Sequence, residues 1–195
     1  NNAGIYTINH LEVTSDETIE NIIDTNIHGV INVTKALLPH FRKNKAGIII
    51  NISSIAGRAT FPYQSVYHTS KCAIEGFSEG LYYALEPLNI KVKVVEPGVV
   101  KTNIYNSVMD YSLNDYPAEY QDNFKKGHSS LMNNLTKGYK PELDTQTIYK
   151  AVTDNKNKFR YTTDMQTKFA LFLYSILPLS LFRKMICKLS GLRLT

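Results

Sequence analysis

The sequence predicts an α/β fold, a parallel sheet layered with helices and incomplete at its N-terminal side, followed by a C-terminal amphipathic helical tail. Three observations carry this. Short apolar runs without polar alternation, as in strands covered on both faces, alternate with longer segments of helical period. The composition, 43% hydrophobic and 20% charged over 195 residues, suits one ordinary domain and excludes disorder, collagen and coiled coil. The charge excess of +5 belongs entirely to the end of the chain, because everything up to Asp164 is neutral and Lys168, Arg183, Lys184, Lys188 and Arg193 follow without an acid. A nucleic-acid footprint would spread over a folded face, so no nucleic-acid partner is expected. Cys72 and Cys187 cannot make a disulfide framework, and a reducing compartment, the cytoplasm, is the natural reading.

Taken in order, Ile19 to Phe41 repeats at helical spacing after Ser15, Asp16 and Glu17, which suit a helix start, and reads as one long helix with room for a break near Gly29. Gly47 to Ile52 reads as a buried strand. Ser65 to Leu85 reads as a helix that stops before Pro87. Val92, Val94 and Val95 mark a strand ending at Pro97-Gly98. From Lys101 to about Pro141 no period is visible, and Tyr105, Met109, Tyr111, Tyr116, Tyr120 and Phe124 sit among polar residues. A helix over Asp144 to Asp154 and a strand over Phe159 to Thr163 complete residues 1–164.

Tyr67 and Lys71 lie four apart on the second helix, so both project from one face. In isolation such a pair is more often a solvated surface feature. The turns around it change the weighing: Ser54 ends one strand, Pro97-Gly98 ends another, and Asn1-Asn2-Ala3-Gly4 has turn composition, while ligands of open parallel sheets bind beyond the carboxyl ends of strands. Reducing a ketone needs a proton donor beside the oxygen. A free phenol, with a pKa near ~10, is a poor base at neutral pH, and a neighbouring ammonium favours its ionised form. Lys71 is spaced to do this for Tyr67.

The ordered set Asn1-Asn2-Ala3-Gly4, Asn26, Ser54, Tyr67, Lys71 and Pro97-Gly98 with Thr102 resembles the short-chain dehydrogenases/reductases from Asn1 to Thr102. Ser54, not Ser53, lies thirteen positions before Tyr67, as that family's spacing requires. The resemblance implies a Rossmann-like doubly wound sheet and an NAD(P)-dependent oxidoreductase that interconverts a secondary alcohol and a ketone. It implies Tyr67 as general acid/base, Lys71 as its electrostatic partner and a donor to the nicotinamide ribose, and Ser54 as the substrate-orienting hydrogen bond. Asn26 would hold a water of the proton relay, where a plain helix Asn would bond its own backbone. Asn1, Ala3 and Gly4 correspond to the segment beside the adenosine ribose; Pro97, Gly98, Val100 and Thr102 correspond to the nicotinamide-side loop. A homodimer or homotetramer, paired through the helix of Tyr67, is likewise implied.

His68 points about 100 degrees from Tyr67 and is expected to be a surface or packing residue. Cys72 is expected to be small and buried, Gly76 and Gly80 to allow close helix packing, and no metal is expected. The glycine-rich turn of a dinucleotide site is not in the sequence, and neither is the residue that selects NADP or NAD. The chain opens on Asn1, its first Met is Met109, and no signal peptide is visible. The expectation is that the parent protein continues upstream and that these residues alone do not turn over.

The variable segment 101–143 follows the nicotinamide loop, and its aromatics suggest a lipophilic alcohol or ketone substrate. In the tail, residues 165–195, the apolar stretch Phe169 to Phe182 is too short to span a bilayer. Beyond Pro178, Leu181, Phe182, Met185, Ile186, Leu189 and Leu192 share one helix face opposite Arg183, Lys184 and Lys188. A helix that packs on the domain or covers the substrate cleft and peripheral contact with a membrane surface stand as equal alternatives. The competing functions are a non-catalytic membrane-associated binding module that keeps the fold and, more weakly, an epimerase or dehydratase.

Overall fold

The computed structural model describes residues 1–108 and 116–192, so Met109, Tyr111 and Arg193 lie outside the described residues. Helix α1, Asp16–Ile23, starts where the Ser15 hydroxyl accepts from the Thr18 N–H at 3.2 Å. A wide π turn over Asp24–His28 leads straight into α2, Gly29–Asn44. Gly29 itself is helical, with φ −56, and the irregularity near it is the turn that ends at His28. The cause is Asn26, which is buried in that turn and bonded outside its own helix.

Strand β1 is Gly47–Ile52, α3 is Ser65–Leu85, and β2 is Ile90–Glu96. Helix α4 is Ala118–Thr136, α5 is Glu142–Thr153, and β3 is Arg160–Thr162. The three strands are parallel in the order β1-β2-β3, from Gly47↔Ile90 to Ile52↔Val95 and from Val94↔Arg160 to Glu96↔Thr162. Successive residues face opposite ways, so Ile49 and Val92 pack with Leu85 of α3 and with Leu38 and Phe41 of α2. Ile50, Ile52 and Val95 pack on the other face with Ile148 and Ala151 of α5. This is the doubly wound arrangement the sequence predicts. Asn1 extends the sheet beyond β1, its N–H donating to the Ile50 carbonyl at 2.8 Å and its carbonyl accepting from the Ile52 N–H at 3.0 Å. Arg160 fastens β3 to α3 through Glu75 at 3.0 Å and Glu79 at 2.9 Å.

Several expectations are corrected. The stretch from Lys101 to Pro141 contains α4, whose apolar stripe is too sparse to show a period; only Phe124 and Gly127 are buried in it. Cys72 is exposed, because one residue beyond the buried Lys71 the helix has turned away from the core. A side chain at Gly76 or Gly80 would meet nothing within 4 Å, so neither glycine serves close packing among the described residues. The tail folds as two helices, α6 at Met165–Ile176 and α7 at Leu179–Leu189. Phe182 of α7 is buried with Ala59 and Leu171, and Met185 and Ile186 pack around them, so part of the amphipathic face serves packing. Among the described residues no helix is long and apolar enough to cross a membrane.

Candidate active site

Asn26, Ser54, Tyr67 and Lys71 come from a helix turn, a strand end and one helix face, and all four are buried. The chain leaves β1 through Ser53 and Ser54, whose side chains alternate in direction. Ser53 points toward Gly57, where a Cβ would sit 2.5 Å from its Oγ. The Ser54 hydroxyl instead hydrogen-bonds Tyr67 and accepts from the Ala56 N–H at 3.1 Å. Those two neighbours therefore divide between a packing role and the site, on the side the thirteen-residue spacing selects.

Lys71 follows Tyr67 by one helical turn, with its Nζ 5.7 Å from the Tyr67 ring centroid. It donates to the Ile52 carbonyl at the end of β1, at 3.0 Å. Burial pulls its pKa down to about 8. Burial also holds the Tyr67 phenol well above its ordinary range; the nearby Tyr105 phenol adds to the rise, and the Ser54 hydrogen bond opposes it. The anticipated downward pull of Lys71 does not dominate in these surroundings. A protonated phenol beside a serine hydroxyl is what the site presents, the form that donates to a carbonyl oxygen.

Asn26 bonds the Ile5 backbone twice, accepting from its N–H at 2.8 Å and donating to its carbonyl at 2.9 Å. Its amide also donates to Ser70 Oγ at 3.0 Å, and Ser70 donates to the Tyr67 carbonyl at 2.8 Å. The amide thus fixes the Asn1–Gly4 turn against α3. At Gly4 an added Cβ would lie 3.4 Å from Asn26 Oδ1 and 3.6 Å from Lys71 Nζ, so both polar groups converge on a position without a side chain. Asn1 is held deeper, by Thr34 at 3.2 Å and Asn51 at 2.7 Å, whereas Ala3 is exposed at the carboxyl end of the sheet.

The second loop follows β2. The Pro97 carbonyl accepts from the Ile55 N–H at 2.8 Å, which joins it to the Ser54 turn. Gly98 lies under α6, where a Cβ would come within 1.9 Å of Thr167 Oγ1; only glycine fits that approach. The Gly98 N–H donates to the Tyr139 hydroxyl at 3.1 Å. Val100 is buried in a parallel bridge to Tyr139, and the exposed Thr102 accepts from the Ile104 N–H at 3.4 Å.

Tyr6, Ser70 and Tyr139, which the sequence reading left out, belong to this region, and so does His68. Tyr6 packs edge-on against Tyr67 and Tyr105, with centroids 4.6 Å and 5.3 Å away. His68 is buried, donating from Nδ1 to the Ala56 carbonyl at 2.7 Å and accepting at Nε2 from the Phe61 N–H at 2.8 Å, so it is a packing residue that braces the Ser54 turn. Ser70 lies three residues after Tyr67 on the same helix face, a spacing that could have found it; Tyr6 and Tyr139 carry no sequence signal. Beyond Tyr67 the walls are aromatic, with Tyr116, Phe124, Tyr63 and Tyr120 in one cluster. Among the described residues no three His, Cys, Asp or Glu side chains gather as metal ligands.

The sequence pattern of the short chain dehydrogenase family matches residues 1–111. An uncharacterized oxidoreductase of Schizosaccharomyces pombe is 37% identical over 163 residues, covering 84% of this chain and 68% of the relative. A 3-ketodihydrosphingosine reductase of Bacteroides thetaiotaomicron is 36% identical over 160 residues, covering 82% of this chain and 60% of the relative. Among solved structures, ElxO with NADP bound aligns at a TM-score of 0.67 and 27% identity, covering 87% of this chain and 66% of that one. This chain therefore spans about two thirds of the length of these relatives.

Proposed function

Because this chain belongs to the short-chain dehydrogenase family, we propose that the protein it represents is an NAD(P)-dependent oxidoreductase interconverting a secondary alcohol and a ketone on a lipophilic substrate. The hydrogen-bonded hydroxyl pair Ser54–Tyr67, next to a buried ammonium with no carboxylate partner among the described residues, carries this reading. The NADP-bound neighbour supports the cofactor class. The donor set fits a nicotinamide ribose: Lys71 and Tyr67 are on one helix face, Gly4 leaves space before Lys71, and Gly98, Val100 and Thr102 form a loop at the end of β2. These residues, with Asn1, Ala3 and Pro97, would hold the group, which supplies or accepts the hydride when bound.

The chain's own part is proton transfer. In the reductive direction Ser54 donates a hydrogen bond to the substrate carbonyl oxygen. As a hydride reaches the carbonyl carbon, the Tyr67 O–H bond breaks and its proton passes to that oxygen, leaving an alcohol and a phenolate. The Lys71 ammonium stabilises the phenolate, and reprotonation runs from solvent through a water held near Asn26. The oxidative direction reverses each step. The aromatic walls, and the relative named for 3-ketodihydrosphingosine, support an apolar substrate.

We also propose a cytoplasmic protein that pairs into a dimer or tetramer through α3, whose outer face exposes Cys72, Gly76, Gly80 and Tyr83. Peripheral membrane contact is developed below. The catalytic reading is tested with the full-length protein by following reduced-nicotinamide absorbance against a panel of long-chain ketones. Tyr67→Phe should lower kcat by about 10²–10⁴-fold. Turnover by the variant at the parent rate would remove the proposal.

A further inference from the structure

We infer that the outer face of α6, together with the exposed basic side chains of the tail, docks on an anionic lipid bilayer. The inference is independent of the catalytic reading. It departs from the amphipathicity in the sequence, which points to the last helix, because Phe182 of α7 is buried edge-on against Tyr174, with centroids 5.0 Å apart, and Met185 and Ile186 pack beside it. The exposed stripe lies on α6. Met165, Phe169, Phe172 and Ile176 are 74%, 61%, 55% and 56% exposed, and their spacing of four, three and four residues puts them on one side of the helix. Leu179 and Leu181 remain exposed at the start of α7. Large apolar side chains collected in this way mark a contact surface.

The charge of the tail selects the occupant. Lys168, Arg183, Lys184 and Lys188 are all exposed, and no Asp or Glu occurs after Asp164. A bilayer with acidic headgroups satisfies both features: the Phe, Met and Ile side chains enter the acyl boundary and the cations meet phosphates and carboxylates. A second copy of the chain fits less well, since a two-fold contact would set this cationic surface against itself. Nucleic acid would match the cations and could stack on the two phenylalanines, but it offers a poor partner for the exposed Met165, Ile176, Leu179 and Leu181. At 12 residues, α6 is about 18 Å long against a hydrocarbon core of about 30 Å, so it lies on the membrane and does not cross it. The opposite face of α6 keeps Thr167 and Leu171 buried, with Thr167 against Gly98, so docking requires no change in the fold.

The test is co-sedimentation of the full-length protein with phosphatidylcholine vesicles, with and without phosphatidylserine. Two double variants change exposed residues only: Phe169→Ser with Phe172→Ser, and Lys184→Glu with Lys188→Glu. Circular dichroism and thermal unfolding confirm that each is folded. Binding should need phosphatidylserine, and each variant should bind about tenfold more weakly or less. Light scattering tests the competing occupant. Absence of binding to phosphatidylserine vesicles, undiminished binding by both variants, or a serine variant that loses only self-association would overturn the inference.

Discussion

Lys71 and Lys93 are both buried, and their surroundings differ in kind. Lys93, in the middle of β2, donates to the Ala151 carbonyl at 2.7 Å, Asp154 Oδ1 at 2.9 Å and the Tyr161 hydroxyl at 3.1 Å. Its three donor positions are occupied by partners on α5 and β3 and in the turn between them, and those partners raise its pKa against the opposing effect of burial. Lys71 has one carbonyl, a phenol ring and no ion pair among the described residues, and burial lowers its pKa to about 8. A buried charge with matched partners ties elements together. One left without an ion-pair partner is held at a cost in stability, and catalytic sites are where such costs concentrate.

The largest expected effect separates the two by activity. Lys71→Met should lower kcat by about 10²-fold or more while leaving the free energy of unfolding within about 1 kcal/mol, because burying an ammonium no longer opposes folding. Chemical denaturation and steady-state rates measured on the same preparation check both parts; a large loss of stability would place Lys71 with Lys93 as a structural residue.

Next in size is Lys93→Met, expected to destabilise by about 1–3 kcal/mol through the Ala151 carbonyl it leaves unbonded and the Asp154 carboxylate it leaves without its ion-pair partner, with kcat per folded molecule unchanged. A kcat deficit in the folded variant would mean that the β2 centre communicates with the site.

The smallest effect is a difference of slope with pH. Lys71 has a lowered pKa, so between about 8 and the ordinary lysine value the unfolded chain binds more protons and the Lys71 contribution to stability rises with pH. Lys93 has a raised pKa, so its contribution is full below the ordinary value and falls as pH rises through the folded one. Unfolding curves from pH 7 to 10 should lose the rising contribution in Lys71→Met and keep it in Lys93→Met. The reductive rate should fall with an apparent pKa near 8, and in Lys71→Arg that limb should move to higher pH.

The chemistry was legible in the sequence to different depths. The family resemblance, through its thirteen-residue spacing, distinguished Ser54 from Ser53, and it is the Ser54 hydroxyl that bonds Tyr67. Spacing could not locate Tyr6, which reaches Tyr67 only because the Ile5 backbone is bound to Asn26, twenty-one residues along the chain. Helix α4 escaped because its buried face has one apolar side chain, Phe124, beside Gly127, where the Tyr63 ring lies so close that a Cβ would come 2.3 Å from Cε2, and a glycine in a polar stretch leaves no apolar mark. In β2, Lys91 and Lys93 look alike in the sequence, yet Lys93 is fully buried by partners that α5 and β3 supply.

By itself the sequence determined the three strands, the helices that precede and join them apart from α4, the two covered sheet faces and the helix that carries Tyr67 and Lys71, since local periodicity and turn chemistry act over a few residues. Which face of the tail is buried, which lysine is paired and which tyrosines surround the site were decided only in the tertiary structure. Those outcomes depend on partners far apart in the chain, and a side chain's environment is set by what is packed against it.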